Sequence, residues 1–361
     1  ASAAIPKPPG GGGNNMPLFP ACLLLVAATS GMIVSPIRMA TLAAPTVAAP
    51  WCTACDRDPM LVLRGGSDAT DPPHSATERL ESAAPPSPHC SIIFVRHGQS
   101  EWNLSGRFTG WTDINLTDVG REQAAEGGRE MKRHGLVVDI AYTSELVRAQ
   151  ETMSIVLHHA QQEHVPVITD WRINERHYGA LQGRSKQETV DEYGLEQVKL
   201  WRNSFSDPPP PASTDSDQNP INDPKYQDVP RYLLPNGECL KDTLKRCLPF
   251  WTERVVPDLL AGRTVLIAAH GHSIRALVKH IDDVSDAQIA SIRMPNGAPL
   301  VYRLDATLRP IPPQACEAAL GLRAVFLDDD GTLAERLRKD AACVGPDDAA
   351  SKQATQAQPQ P

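Results

Sequence analysis

The stretch SIIFVRHGQSEWNLSGRFTG, Ser91 to Gly110, sets an apolar run against an abrupt arginine, histidine and glycine. Ser91 to Val95 is continuous, β-branched and closed by a glycine-bearing turn. That pattern suits a strand buried on both faces of a parallel sheet, not one with a wet face. Such a strand delivers Arg96 and His97 to its carboxyl end, the edge of an open α/β sheet where ligands bind. A guanidinium and an imidazole placed there together predict an anion site that holds a nucleophile or a proton carrier. Arg107 brings a second fixed cation soon after.

The pattern recurs at Thr264 to Ala269, a buried strand closing on His270-Gly-His-Ser, with a helix expected from Ser273 to about Ile281. Two such strands side by side would set two imidazoles in one pocket with Arg96, an arrangement suited to passing a phosphoryl group through a phosphohistidine. His270 and His272 also read as a metal pair, but no further ligand cluster stands at suitable spacing and an arginine-rich pocket repels a cation. Between the two strands, Thr117 caps a helix over Asp118 to Arg133, with Gly135 just past its end. A strand over Val138 to Tyr142 leads into a helix from about Leu146 to His159. Arg148 lies in that helix's first turn, where a cation opposes the dipole unless an anion sits nearby. The loop from Asn174 to Gly183, with Lys186 behind it, carries a carboxylate, cations and a phenol, and Glu175 is its evident proton carrier. Helical segments over Gln187 to Tyr193 and Leu195 to Trp201 lead to Arg202, a proline run and a polar covering loop that ends near Pro230. Glu238 to Leu260 reads as one amphipathic helix with kink points before Pro249 and Pro257.

Composition sets the limits around this core. The chain has 361 residues, but 33 prolines, 24 glycines and 5% aromatics predict one folded domain with appendages. A net charge of -8 argues against a nucleic-acid or anionic-membrane surface, so any basic site must be local. The cysteines are scattered, with Cys239 and Cys247 well inside the folded region, which indicates neither a disulfide framework nor a four-cysteine zinc site. Cys52 and Cys55 form a CxxC without the helix pattern that a redox motif needs. Residues 1–89 read as a targeting leader and linker. The apolar run Ala21 to Ala28 falls far below the ~20 residues of a membrane span but fits a signal-peptide core. Met39 to Pro50 is small, hydroxylated and acid-free, as transit segments are. Import into a plastid or mitochondrion is the expectation; a low-complexity extension on a cytoplasmic protein is the alternative. Asp68 to Pro88 is a polar linker, no stable membrane span is expected, and a homo-oligomer stays open.

From about Ser91 to Pro310 the chain resembles the cofactor-dependent phosphoglycerate mutases of the histidine phosphatase superfamily. VRHGQSEWN, RFTGWTDINLT, YTSELVRAQET, NERHYGALQG, AAHGHSIRALVKH and MPNGAPLVYRLD stand in that family's order and separations. The resemblance implies an α/β three-layer sandwich, its mainly parallel central sheet flanked by helices, with residues 90–313 as the catalytic domain and 314–361 as a divergent tail. It implies interconversion of 3-phosphoglycerate and 2-phosphoglycerate in glycolysis and gluconeogenesis, through a phosphohistidine primed by 2,3-bisphosphoglycerate and without a metal. His97 would be the nucleophile; Arg96, Arg148 and His270 would hold phosphoryl oxygens; Glu175 would be the acid and base at the substrate hydroxyl. Asn103, Arg107, Thr109, Gly110, Tyr178, Lys186, Arg202, Asn203, Gly271 and His272 match substrate-binding positions. A phosphomonoesterase of the same superfamily, or a degenerate phosphate-binding protein, are the alternatives.

Three departures stand out. Asn203 follows Arg202 where those mutases usually carry two arginines. His272 replaces their usual asparagine, and a protonated imidazole there is a candidate for the lost cation. Beyond Pro310 the match is faint, returning near Phe326 to Leu333 after an insertion. Ala324 to Leu333, AVFLDDDGTL, fits the DxDGT motif of aspartate-nucleophile phosphatases, but too few residues follow for that fold, and an exposed acidic segment is expected.

Overall fold

A computed structural model describes residues 88–313, 320–329 and 331–342. The leader up to residue 87, with its apolar run, Cys52 and Cys55, lies outside the described residues. In chain order the elements are β1 (Cys90–Arg96), α1 (Glu101–Leu104), α2 (Asp118–Arg133), β2 (Ile140–Thr143), α3 (Val147–His159), β3 (Val167–Thr169), α4 (Lys186–Tyr193), α5 (Leu195–Asn203), α6 (Leu240–Phe250), α7 (Val256–Leu260), β4 (Thr264–Ala269), α8 (Gly271–Asp282), α9 (Asp286–Ser291), β5 (Pro299–Leu304), β6 (Val325–Phe326) and α10 (Leu333–Ala342).

The sheet order is β3-β2-β4-β1-β5-β6. The pairs among β1 to β4 are parallel, and β5 and β6 add antiparallel strands at one side. β1 sends Ile92 and Phe94 into one hydrophobic core and Ile93 and Val95 into the other, and β4 divides Val265 and Ile267 from Leu266 and Ala268 in the same way. Apolar side chains are therefore needed at every position of both runs, because alternate residues face opposite layers. Full burial of each of the larger ones, Val, Leu, Ile or Phe, is worth about 1.5–3 kcal/mol. Residues of α2 and α3 fill the core on one face and residues of α6, α7 and α8 the core on the other. The result is the three-layer α/β sandwich.

The predicted bounds of α2 and β4 coincide with the observed ones. The Thr117 hydroxyl accepts from Gly120 N at 3.0 Å, and Lys132 and Arg133 occupy the last turn. The helix expected over Glu238 to Leu260 is instead α6 and α7 joined by a π-helical turn, Trp251–Val255. Pro257 lacks an N–H and its ring excludes the carbonyl four residues back, so the ladder widens before it. Pro249 is accommodated inside α6.

The tail also differs from expectation. Val325 and Phe326 pair with Val301 and Leu300, and Phe326 and Leu327 are buried. The segment read as exposed and acidic begins as an edge strand because β5 otherwise leaves a row of backbone groups unpaired. Asp328 then accepts from Thr332 N at 2.9 Å and Leu333 N at 3.0 Å, at the start of α10.

Candidate active site

β1 and β4 lie side by side in register, Arg96 opposite Ala269, and His97 N donates to Ala269 O at 2.9 Å. The two His-Gly turns thus emerge together, with the rings of His97 and His270 5.0 Å apart. Position 98 must be glycine: a Cβ there would sit 2.0 Å from Gly120 O, where the start of α2 packs on the turn. His97 Nδ1 lies 2.7 Å from Gly98 O. A carbonyl only accepts, so Nδ1 carries the proton and Nε2 presents a lone pair.

Arg148 Nε donates to that Nε2 at 3.4 Å, while its other nitrogens donate to Gly110 O at 2.7 Å and Thr112 O at 2.9 Å. Gly110 adopts a φ of +55° to turn its carbonyl inward. Burial, then the charges of Arg148 and Arg96, hold the His97 pKa well below the ordinary value. Its imidazole is therefore neutral and nucleophilic. Burial pushes Arg148 down to about 10, still protonated at neutral pH. Arg96 Nη1 donates to Met294 O at 2.6 Å.

His270 Nε2 lies 2.7 Å from Ser144 Oγ, which also accepts from Leu146 N at 3.2 Å. With Nε2 receiving the hydroxyl proton, Nδ1 carries the ring hydrogen, and this buried atom has no protein partner. An unsatisfied buried donor beside a neutral nucleophile fits an incoming phosphoryl oxygen. Burial, then Arg148 and His97, keep His270 well below the usual imidazole range.

Glu175 Oε1 accepts from Arg176 N at 2.7 Å and from His272 N and Nδ1 at 3.2 Å each. Burial alone would raise this carboxyl, but the hydrogen bonds from His272 and the Arg176 N–H outweigh it, leaving the pKa well below the ordinary range. Burial, then Arg176, lower His272 to about 3, so it stands as a neutral donor to Glu175. The Glu175 loop is held from behind. Arg246 pairs with the buried Glu238 at 2.7 Å and donates to the carbonyls of Asn174 and Glu175 at 3.2 Å. Trp111 Nε1 donates to Glu175 O at 2.6 Å.

An open cleft gathers Arg96, His97, Asn103, Arg107, Thr109, Gly110, Arg148, Glu175, Tyr178, Lys186, Arg202, Asn203, Gly271 and His272. His270 lies behind its wall, fully buried. His270 and His272 turn to Ser144 and Glu175 respectively, so they do not converge as a metal pair. Among the described residues, Glu130, His134 and Asp329 have metal-ligand spacing, and they share no residue with the cleft. Sequence reading missed Gln99, Phe108, Arg275, Arg293, Met294 and Asn296, which also line it. Three of them had a signal: Arg275 interrupts an apolar helix face, and Arg293 and Asn296 flank the Met-Pro of the last matching stretch.

A family model of the histidine phosphatase superfamily, branch 1, matches residues 92–219 and 213–307. The chain belongs to the histidine phosphatase superfamily. Its site is accordingly that of an enzyme of this superfamily, with phosphomonoesterase or mutase chemistry. Over 222 residues it is 49% identical to the 2,3-bisphosphoglycerate-dependent phosphoglycerate mutase of Streptomyces avermitilis, covering 62% of this chain and 88% of that protein. The enzyme of the same name from Streptomyces griseus subsp. griseus matches to the same extent, 49% over 222 residues, 62% and 88%. Among solved structures, one described as mycobacterial hydrolase 1 is 21% identical, with a TM-score of 0.48 over 61% of this chain and 94% of that chain. Among the described residues no helix is long and apolar enough to cross a membrane.

Proposed function

We propose that this chain interconverts 3-phosphoglycerate and 2-phosphoglycerate through a phosphohistidine on His97, primed by 2,3-bisphosphoglycerate. The carrying observation is that the cleft holds more cations than one phosphate requires. Beyond Arg96 and Arg148 at His97, it is lined by Arg107, Lys186, Arg202, Arg275 and Arg293, against the single carboxylate of Glu175. A monoesterase needs one phosphate site. A mutase must also hold a second anionic group and move a hydroxyl proton. Buried polar atoms without protein partners, Thr109 Oγ1 and Arg275 Nε, fit a highly anionic small ligand, and the 49% identity to two curated mutases supports the same reading.

When bound, 2,3-bisphosphoglycerate supplies the phosphoryl group for His97. The residues do the rest. The substrate's free hydroxyl attacks the phosphoryl group on His97, Glu175 takes its proton, and Nε2 leaves with the P–N electron pair. In the return half Nε2 attacks the phosphoryl group at the other position, and Glu175 returns the proton to the departing oxygen. Arg96, Arg148 and the His270 Nδ1–H spread the phosphoryl charge.

A phosphomonoesterase, in which water takes the phosphoryl group from His97, is the second reading, favoured by Asn203 where the resembled mutases carry arginine. Incubation with 3-phosphoglycerate, with and without 2,3-bisphosphoglycerate, separates them. Cofactor-stimulated 2-phosphoglycerate formation is expected; release of inorganic phosphate without isomerisation would establish the monoesterase. His97→Ala should abolish turnover together with the acid-labile phosphoprotein, and full activity in that variant would sink both readings.

A further inference from the structure

Asn203 closes α5, and its Oδ1 accepts from Arg293 Nη2 at 3.4 Å across a separation of 90 residues. Arg293 stands between α9 and β5 and lines the cleft. Its Nη1 donates to Ala290 O at 2.6 Å, and its segment is pinned at the reacting end of β1. Met294 O accepts from Arg96 Nη1 at 2.6 Å, Asn296 Nδ2 donates to His97 O at 2.6 Å, and Gly297 N donates to Arg96 O at 2.9 Å. The contacts that place His97 therefore also place Arg293.

An arginine at position 203 would bring a second guanidinium onto Arg293, whereas the amide offers it an acceptor. The cation absent from 203 is thus present in the same cleft, carried by another element. His272 does not fill that role, because its imidazole is committed to Glu175. Beside Arg293 lies Arg275, 5% exposed, whose Nε has no protein partner. Burial, then Arg293 and Arg176, depress it to about 9, with Glu175 acting in the opposite sense.

We propose that Arg293 binds the anionic group of the ligand that is not being transferred, a carboxylate or second phosphate, and that Asn203 positions it to do so. This rests on the reading of the cleft as a site for doubly anionic phosphate esters. Calorimetry on the full chain with two probes, inorganic phosphate and 3-phosphoglycerate, tests it. The wild type should prefer 3-phosphoglycerate, and Arg293→Ala should cut the ratio of the two affinities about ten- to hundredfold, the worth of a charge-assisted contact. Arg293→Lys, which keeps the charge and the fold but loses the fork, should cut it less. The exchange Asn203→Arg with Arg293→Asn should restore most of it. A ratio unmoved in both single variants, or a wild type without the preference, would overturn the assignment. Absent isomerisation with an Arg293-dependent preference would remove the mutase reading and leave Arg293 standing; isomerisation with an unmoved ratio would do the reverse.

Discussion

Three imidazoles of the site, buried His97 and His270 and part-buried His272, are all held below their ordinary pKa, chiefly by desolvation, and this has a consequence for stability. Between the unfolded value near 6.5 and the folded value, about 3 for His272, the unfolded chain binds protons that the native state refuses. Stability is therefore complete above that window and falls as pH drops through it, by up to about 1.4 kcal/mol per pH unit for each group. Glu175, also depressed, extends the loss to lower pH. The urea midpoint should fall steadily from pH 7.5 to pH 5, and His272→Asn should make that fall shallower by up to one proton; a flat midpoint would contradict the buried, neutral assignment. Arg246 carries a second expectation. Arg246→Met leaves Glu238 buried without its partner, at a cost of about 3–5 kcal/mol, and frees the Glu175 loop. Unfolding free energy and kcat should fall together. His97, Glu175 and Arg148 are legible from the sequence because each sits at a strand end, loop or helix start whose local pattern explains it. Arg246, Arg275 and Arg293 carry at most a faint local signal, because their roles arise only when a distant helix or loop docks on that local pattern.

The strands and helices that position the site rest on two close approaches at one point, where the turn after β1 meets the start of α2. A Cβ at Gly98 would lie 2.0 Å from Gly120 O, and one at Gly120 would lie 2.1 Å from Gln99 O. Both obstacles are backbone and cannot swing aside. Gly98→Ala should force β1 and α2 apart, lowering the melting temperature and displacing His97, so that kcat falls as well. Thr117→Ala, which removes the cap on Gly120 N and the hydroxyl's contact with Gln99 but leaves the close packing intact, should cost about 1 kcal/mol and lower kcat less than Gly98→Ala does. Equal effects of the two substitutions on kcat would show that the close packing does not position His97. β1, β4 and α2 can be read from sequence because their patterns are buried on both faces or capped by local residues. The π-helical turn before Pro257 cannot, since an amphipathic pattern continues straight through it and the proline reports only that something must yield. β6 is hidden for another reason: a pairing of two residues has no periodicity, and the acids that follow dominate the impression of the segment.

Across the whole molecule, the described part of the tail is fastened at two places of unequal strength. Asp282, at the end of α8, has a side chain 4% exposed and accepts from Arg323 Nε at 2.5 Å, Arg323 N at 2.7 Å and Tyr302 OH at 3.2 Å. Asp329 reaches Arg133 at 3.3 Å and His134 at 3.0 Å, with the side chains of all three more than 40% exposed. Solvent screens the second contact and not the carboxylate of the first, so the two should separate cleanly in measurement. Arg323→Ala, which leaves a buried carboxylate with fewer donors, should cost about 1.5–3 kcal/mol, and Asp329→Asn should cost less. Leu322, Ala324 and Phe326 belong to the core on the α8 face, and Leu327 to the core on the α2 face. We therefore propose that the catalytic unit does not end at residue 313. Truncation there should uncover Leu300 and Val301 along β5, strand Asp282, and lower the melting temperature by more than Arg323→Ala does alone. None of these contacts involves a residue of the cleft, so Arg323→Ala should keep its kcat/KM within about threefold below its melting transition. A truncated chain as stable as the full one would show that the pairing of β6 with β5 contributes nothing, and would return the boundary to 313.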